Sequence, residues 1–358
     1  MSNPEGVPSE KRAATTASAI RNLVIGLAVS GVFLYFTLRS VDLRKMMASM
    51  RTIDPTLLLI ATACFAAHFV ARAFRWRIVV NPIAPVGVRS LLRATVVGFA
   101  ANNVLPLRFG EFVRALMLTL TEPVPLASAI TTVVLVRLLD MVALGTMFVT
   151  VLVVFPLPAV VRQGALFAIP IYLAALAFLL ALKFREEQAL RLLQALLRPF
   201  PARLAGVVLS LVRAFLPGLE SLRSGWELAK AALITHVAWL FLFAYNALIL
   251  AAFGFHLPWY AGLVVILTVG FMISIPSSPG YLGVYHVGVT TALSLFSDLA
   301  LTDESKTAAA FVIHGVQFLV TTGWGVGYML VSPVRLGDIA TALKRPARAE
   351  PTVTTSPG

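Results

Sequence analysis

Six runs of about twenty apolar residues restrict this chain to structures that can sit in a lipid bilayer. They fall at roughly 20–38, 55–74, 125–155, 160–182, 229–253 and 307–331. A helix rising 1.5 Å per residue needs about 20 such residues to cross a hydrocarbon core of about 30 Å. Only 13% of the 358 residues are charged, about half the share of a soluble domain. An all-α, polytopic membrane protein follows, with about six full transmembrane helices. The first run is not followed by a small-residue cleavage site, so it reads as a retained helix after a polar tail, 1–19.

Two further regions, 88–120 and 258–297, are each long enough for two short apolar segments, and each is broken near its centre. The breaks are Pro106 with Gly110, and the stretch IPSSPGYLG from Ile275 to Gly283. The distribution of Lys and Arg shows whether these regions cross or turn back, because cytoplasmic loops carry the excess of cations. If both are re-entrant hairpins and the N-terminus is cytoplasmic, three basic clusters share the cytoplasmic side. These are Arg72, Arg75 and Arg77; the segment from Lys183 to Arg223; and the tail with Arg335, Lys344, Arg345 and Arg348. The segment 39–54, with Arg39, Arg44, Lys45 and Arg51, then falls outside, as a surface-lying amphipathic helix in part. The halves 55–155 and 229–331 become an inverted repeat, joined by the helix 160–182 and a basic interfacial segment, 184–225. The tail 332–358 is expected to be disordered. Gly/Pro-interrupted segments at matching places in two halves point to a transporter's midplane site.

The first break holds the most unusual chemistry. Asn102, Asn103, Arg108, Glu111 and Arg114 surround Pro106 and Gly110 within a strongly apolar chain. Each intramembrane charge costs about 2.5–3.5 kcal/mol on insertion scales, so such residues mark function by default. Glu111 is spaced to pair with Arg108 or Arg114 on one helix face. One Glu leaves a net cation, which suits a phosphate held bidentately; the alternative is a structural ion-pair cluster. At the second break Ser277 or Ser278 can cap, Pro279 suits the first helical position, and a half-helix is expected from Gly280, its free N–H groups turned to an anion. A plain Pro-Gly turn is the competing reading. Arg137 and Asp140 lie three residues apart inside an apolar span, as a gate or as an internal pair locking helices. His286 follows the second break, whereas His314 and His236 read as packed residues. Arg72, Arg75 and Arg77 read as an interface belt, and Gly323 with Gly327 as a close-packing face, with a homodimer as the alternative.

Metalloprotease, P-loop and nucleophile-elbow motifs are missing from the sequence, and Cys64 is a lone cysteine. No enzyme activity, metal or cofactor is expected. The net charge of +13 is carried by cations flanking apolar spans, so the expected partners are the membrane and an anionic phospholipid or lipid-linked phosphate, not nucleic acid.

Asn102, Pro106, Arg108, Gly110, Glu111 and Arg114 form N-x-x-x-P-x-R-x-G-E-x-x-R, which resembles the signature of the flippase-like family related to the transmembrane region of lysylphosphatidylglycerol synthase. Arg137 with Asp140 resembles its second block. Pro276, Pro279, Gly280 and Gly283 resemble its third. The likeness spans about residues 20–331. It implies a bacterial-type inner-membrane protein, with cytoplasmic termini, that moves anionic or polyprenyl-linked lipids between leaflets. The 27 residues after Val331 hold no soluble transferase domain, so lysyl transfer is not expected. Family members usually carry acidic residues where Val136 and His286 stand, and a second Gly where Tyr281 stands. Losing two acidic groups makes the cavity more basic and favours a phosphate-bearing substrate. A non-transporting scaffold that docks a lipid-modifying enzyme through 184–225 is the second reading, and an intramembrane enzyme the third.

The first hairpin is checked by cysteine labelling. With Cys64 replaced, Arg89→Cys and Thr121→Cys should both react from the cytoplasmic side, and labelling from opposite sides would refute it.

Overall fold

The computed structural model describes residues 27–28, 30–105, 109–154, 159–221, 224–275, 277–296, 301–332 and 334. The tail expected at 1–19 and all of the tail expected at 332–358 except Ser332 and Val334 lie outside these residues, as do Pro106, Arg108, Pro276 and positions 20–26 and 29 of the first apolar run. The described chain is helical: α1 (30–38), α2 (Leu43–Arg51), α3 (Pro55–Val80), α4 (Val88–Val104), α5 (Gly110–Thr121), α6 (Leu126–Val154), α7 (Ala159–Phe184), α8 (Glu186–Leu197), α9 (Ala202–Ser221), α10 (Gly225–Ala252), α11 (Ala261–Met272), α12 (Val284–Ser294) and α13 (Asp303–Val331).

Among these, α3, α6, α10 and α13 are long and apolar enough to cross a bilayer. They carry Leu59, Met141, Leu233, Leu240, Leu319 and Leu330 with more than half of each residue exposed, as expected where lipid is the solvent. The expected span 160–182 lies within α7, which contains Pro170 and a shorter apolar stretch, Tyr172–Phe184. The helix ends follow local chemistry. Asp54 caps α3, accepting from Thr56 N at 2.8 Å and Leu57 N at 3.1 Å ahead of a first-turn proline. Leu105, which precedes Pro106, is extended (φ −91°, ψ 142°), and α4 stops there. Gly254, at φ 73°, closes α10 in the left-handed conformation.

The two halves repeat one set of contacts. In the first, α3 packs on α4, α4 on α5 and α5 on α6; in the second, α10 packs on α11, α11 on α12 and α12 on α13. Across the halves α4 lies on α13, and its counterpart α11 lies on α6. The leading helices α3 and α10 run antiparallel along one another: Asp54 N donates to Ala252 O at 3.0 Å, and His68 Nδ1 donates to Ala238 O at 2.7 Å. One apolar core lies around α3 to α6 with Leu182, Ala189 and Leu216 of the connecting helices; another lies around α10 to α13 and shares Phe65, Phe69 and Val96 with the first half.

Each broken region forms two helices packed on one another, α4 on α5 and α11 on α12. In the first, α4 and α5 pack so closely that a Cβ on Gly110 would stand 2.0 Å from Gly98 O, and one on Gly98 would stand 2.6 Å from Arg114 Cβ. Gly325 plays the same part where α13 meets α4, its notional Cβ lying 2.4 Å from Ala100 Cβ. This corrects the expectation for Gly323 and Gly327: no atom lies within 4 Å of a Cβ placed on either, because that face of α13 turns away from α4. The connecting segment forms two helices, α8 and α9. Leu192, Leu196, Phe200, Leu204 and Val207 are exposed beside Arg191, Arg198 and Arg203.

A side chain on Gly110 has no room to relax, because it would meet the Gly98 carbonyl and the buried Asn102 amide that holds the Gly110 N–H. Gly110→Val should lower stability by about 1–3 kcal/mol or more, as overpacking does, whereas Gly87→Ala, with open space around it, should be neutral. Thermal unfolding in detergent, followed by loss of the monodisperse peak, distinguishes the two.

Candidate functional site

A cluster of buried charge lies where α3, α5, α6 and α10 meet. Asp140 is the fifteenth residue of the 29-residue α6. About 21 Å of helix extends on either side at 1.5 Å per residue, so in a core of about 30 Å it lies near the middle. Its carboxylate accepts from Arg72 Nη2 at 2.5 Å, from Arg75 Nη1 at 2.5 Å and from Trp239 Nε1 at 3.1 Å. Two helices of the first half and one of the second are tied to one carboxylate.

Arg72 and Arg75 are buried, Arg75 completely, which overturns the interface-belt expectation for them. The reason is that α3 continues to Val80. Phe65, His68, Phe69, Arg72, Trp76 and Val79, all buried, form one helical stripe facing α6 and α10. The i, i+3, i+4, i+7 spacing of that stripe was the signal in the sequence. Phe74 and Arg77 occupy the exposed face. Behind Arg72, His68 is held in one tautomer: Nδ1 donates to Ala238 O, and Nε2 accepts from Arg72 Nη1 at 3.1 Å.

Glu111 was expected to pair with Arg108 or Arg114. It forms an ion pair with Arg137, joining the first hairpin to α6, and not with Arg114, while Arg108 lies outside the described residues. Arg137 Nη1 also stands 3.8 Å from Asp140 Oδ2, so the expected Arg137–Asp140 pair exists as the weaker edge of a network. The Arg137 and Glu111 side chains are 36% and 27% exposed, against 5% for Asp140, which puts them at the cluster's open edge. The Phe99 ring is flanked by two cations, with Arg72 Cζ 5.0 Å and Arg137 Cζ 5.5 Å from its centroid.

Arg114 differs from the other cations. It is 0% exposed, and Nε, Nη1 and Nη2 have no hydrogen-bond partner among the described residues. Its Cζ lies 3.8 Å from the centroid of Trp76, whose Nε1 donates to Thr132 Oγ1 at 3.0 Å. The ring offers the cation a face, and no acceptor atom meets its N–H groups. Arg72, Arg75, Arg114 and Arg137 together face Asp140 and Glu111, which leaves two positive charges in excess among the described side chains of the cluster.

The two breaks meet. Asn102 Oδ1 accepts from Gly110 N at 2.8 Å and so holds the start of α5. Asn103 Nδ2 donates to Thr322 Oγ1 of α13 at 2.9 Å. The carbonyl of Asn103 would stand 3.3 Å from a Cβ on Gly280, which places the tips of the two hairpins side by side.

The second break is built differently from the expectation. Pro279–Tyr281 form a single 3-10 turn with Gly280 at φ 71°, and α12 begins only at Val284. Gly280 cannot open a half-helix because its backbone is left-handed. Ser278 does not act as a side-chain cap: its hydroxyl accepts from Ser30 Oγ of α1 at 2.7 Å, and its N–H donates to Ser30 Oγ at 2.9 Å. Ser277 is half-buried beside it. Gly283, at φ 81°, receives α1 so closely that a Cβ would stand 2.4 Å from Ser30 O. His286 caps α12, its Nδ1 accepting from Gly283 N at 3.2 Å. The N–H groups expected to face an anion are engaged in part by the chain itself.

With this geometry in place, the comparison with known families is decisive. The family described as the lysylphosphatidylglycerol synthase TM region matches residues 23–325. The chain belongs to this family. It is a multi-pass membrane protein whose relationship points to membrane lipids. No curated protein matches it. Among the described residues no group of three or more His, Cys, Asp or Glu side chains is placed to hold a metal ion.

Removing the carboxylate from the centre strands two buried guanidinium groups, whereas the edge pair is partly solvated. Asp140→Asn should therefore cost about 3–5 kcal/mol and Arg137→Gln about 1 kcal/mol or less. Thermal melts of the two variants in the same detergent check this.

Proposed function

We propose that this protein moves phosphate-bearing lipids, phospholipid or polyprenyl-linked, between the leaflets of a bacterial-type inner membrane. The observation that carries the reading is Arg114, a fully buried guanidinium without a hydrogen-bond acceptor. A stranded buried donor costs about 1–3 kcal/mol, more when charged, and a headgroup phosphate offers the oxygens it lacks. The two excess positive charges of the cluster favour an anion over a zwitterionic headgroup. Arg108, six residues before Arg114 in the sequence, is proposed as a second phosphate ligand.

In this reading the halves form an inverted repeat, and α4–α5 and α11–α12 are re-entrant hairpins whose tips adjoin a midplane cavity. Irregular backbone at that depth is tolerated only against protein or a watery cavity. Arg114 is closed off in this structure, so a headgroup reaches it only after Glu111 and Arg137 part. That ion pair is the gate, and Asp140 is the fixed post to which Arg72 and Arg75 are tied. Transport is passive or ion-coupled.

The exposed apolar and basic faces of α8 and α9 support the second reading, a scaffold that docks a lipid-modifying enzyme on this segment. The two readings separate in liposomes containing a fluorescent anionic phospholipid. Arg114→Gln should slow leaflet exchange by tenfold or more, the equivalent of about 1.4 kcal/mol or more of lost charged hydrogen bonding. An unchanged rate would refute transport through this site, and loss of partner binding on deleting 186–221 would favour the scaffold.

A further inference from the structure

The second hairpin contains a circuit of hydrogen bonds that exists only while two histidines are neutral. Gly283 N–H donates to His286 Nδ1 at 3.2 Å, so His286 must carry its single proton on Nε2. That Nε2 faces His314 Nδ1 at 3.4 Å across the α12–α13 contact, and Nδ1 must therefore accept. The circuit runs from Gly283, left-handed at φ 81°, through both rings to α13.

An additional proton has no place in this circuit. On His286 Nδ1 it would point at the Gly283 N–H. On His314 Nδ1 it would point at the His286 Nε2–H. Exchanging tautomers only moves the clash from one junction to the other.

We propose that His286 and His314 form a proton-binding site that latches the second hairpin shut when neutral and releases the Gly280–Gly283 loop when it takes up a proton. The surroundings leave the proton no counter-charge. Phe311 stacks on His286 at 4.0 Å, and Tyr285 stacks on His314 at 4.4 Å. From α10, Tyr245 donates its hydroxyl to Ile313 O. From α11, Val269 and Met272 lie under Gly288 of α12, and α1 presents Ser30, Phe33 and Leu34 to the loop. Among the described residues, the titratable neighbours are the two tyrosines, and no carboxylate, Lys or Arg side chain acts on either ring. Gly280 adjoins Asn103, and Asn102 next to it holds the start of the helix that carries Glu111 and Arg114. Release of the loop therefore acts on the first hairpin through contiguous contacts. That last step rests on the transport reading; the latch does not.

The latch is intact where both rings are neutral and is lost as pH falls and either ring takes up a proton. The test uses the full chain in phosphatidylglycerol and phosphatidylethanolamine nanodiscs, with Cys64→Ser and a nitroxide on Leu282→Cys, an exposed loop position. Label mobility should rise between pH 7.5 and pH 4, and His286→Asn with His314→Gln should abolish the pH response. A spectrum that does not change with pH in the histidine-containing chain overturns the latch, as does an unchanged titration in the double variant. In liposomes, leaflet exchange above the protein-free rate should be several-fold faster at pH 4 than at pH 7.5. A titrating label with pH-independent exchange overturns the coupling to transport, and a titrating label with no exchange at either pH upholds the latch and counts against the transport reading alone.

Discussion

One carboxylate at the middle of α6 determines how the two halves of this protein can be assembled. Asp140 lies about 21 Å of helix from either end of its span, where an unpaired charge would be expelled or neutralised. It is retained because α3 brings two guanidinium groups and α10 an indole N–H to it. In lipid the apolar surfaces of helices gain little from associating, so close packing and polar contacts carry more of the specificity. The antiparallel pairing of α3 with α10 and the seating of α6 against both follow from satisfying this one group. The same arrangement leaves Arg114 facing Trp76 without an acceptor. The charge is balanced at the post and unbalanced beside it, and the imbalance is where the proposed function seats a headgroup phosphate.

Much of the architecture was legible in the apolar runs. Four of the six spans expected from run length are long apolar helices, and the Pro-Gly breaks at 88–120 and 258–297 each fall between two short helices. The resemblance carried by Asn102, Gly110, Glu111 and Arg114 is upheld by the family match over residues 23–325. The site was legible only in part. Its members were flagged one by one, but their partners depend on the register between helices, which a single-chain periodicity does not contain. Glu111 prefers Arg137 to its own helix neighbours because α5 lies against α6 there. Arg72 and Arg75 were hidden by a different effect: the apolar run ends at Phe74, while the helix goes on to Val80, so a buried stripe looked like a boundary. His286 and His314 lie 28 residues apart and become neighbours only through the packing of α12 on α13.

The glycines show how the two hairpins differ in purpose. In the first, Gly98 and Gly110 serve close approach of two helices, which makes α4–α5 a rigid arm carrying Glu111 and Arg114. In the second, Gly280 and Gly283 serve left-handed backbone, which makes the turn dependent on side-chain bonds from Ser30, His286 and His314. The first arm bears the cations, and the second bears the loop that rests against its tip. The two halves thus share contacts but not chemistry, and the proposed function assigns binding to the first and release to the second.

The central claim is that Arg114 and the surplus charge around it receive a lipid phosphate. Native mass spectrometry of the protein extracted in mild detergent tests it most directly. The intact chain should carry a phosphate-bearing lipid whose occupancy falls tenfold or more in Arg114→Gln and is unaffected by Arg191→Gln on the exposed face of α8. Equal occupancy in the Arg114 variant, or the retention of neutral lipids alone, would contradict the account.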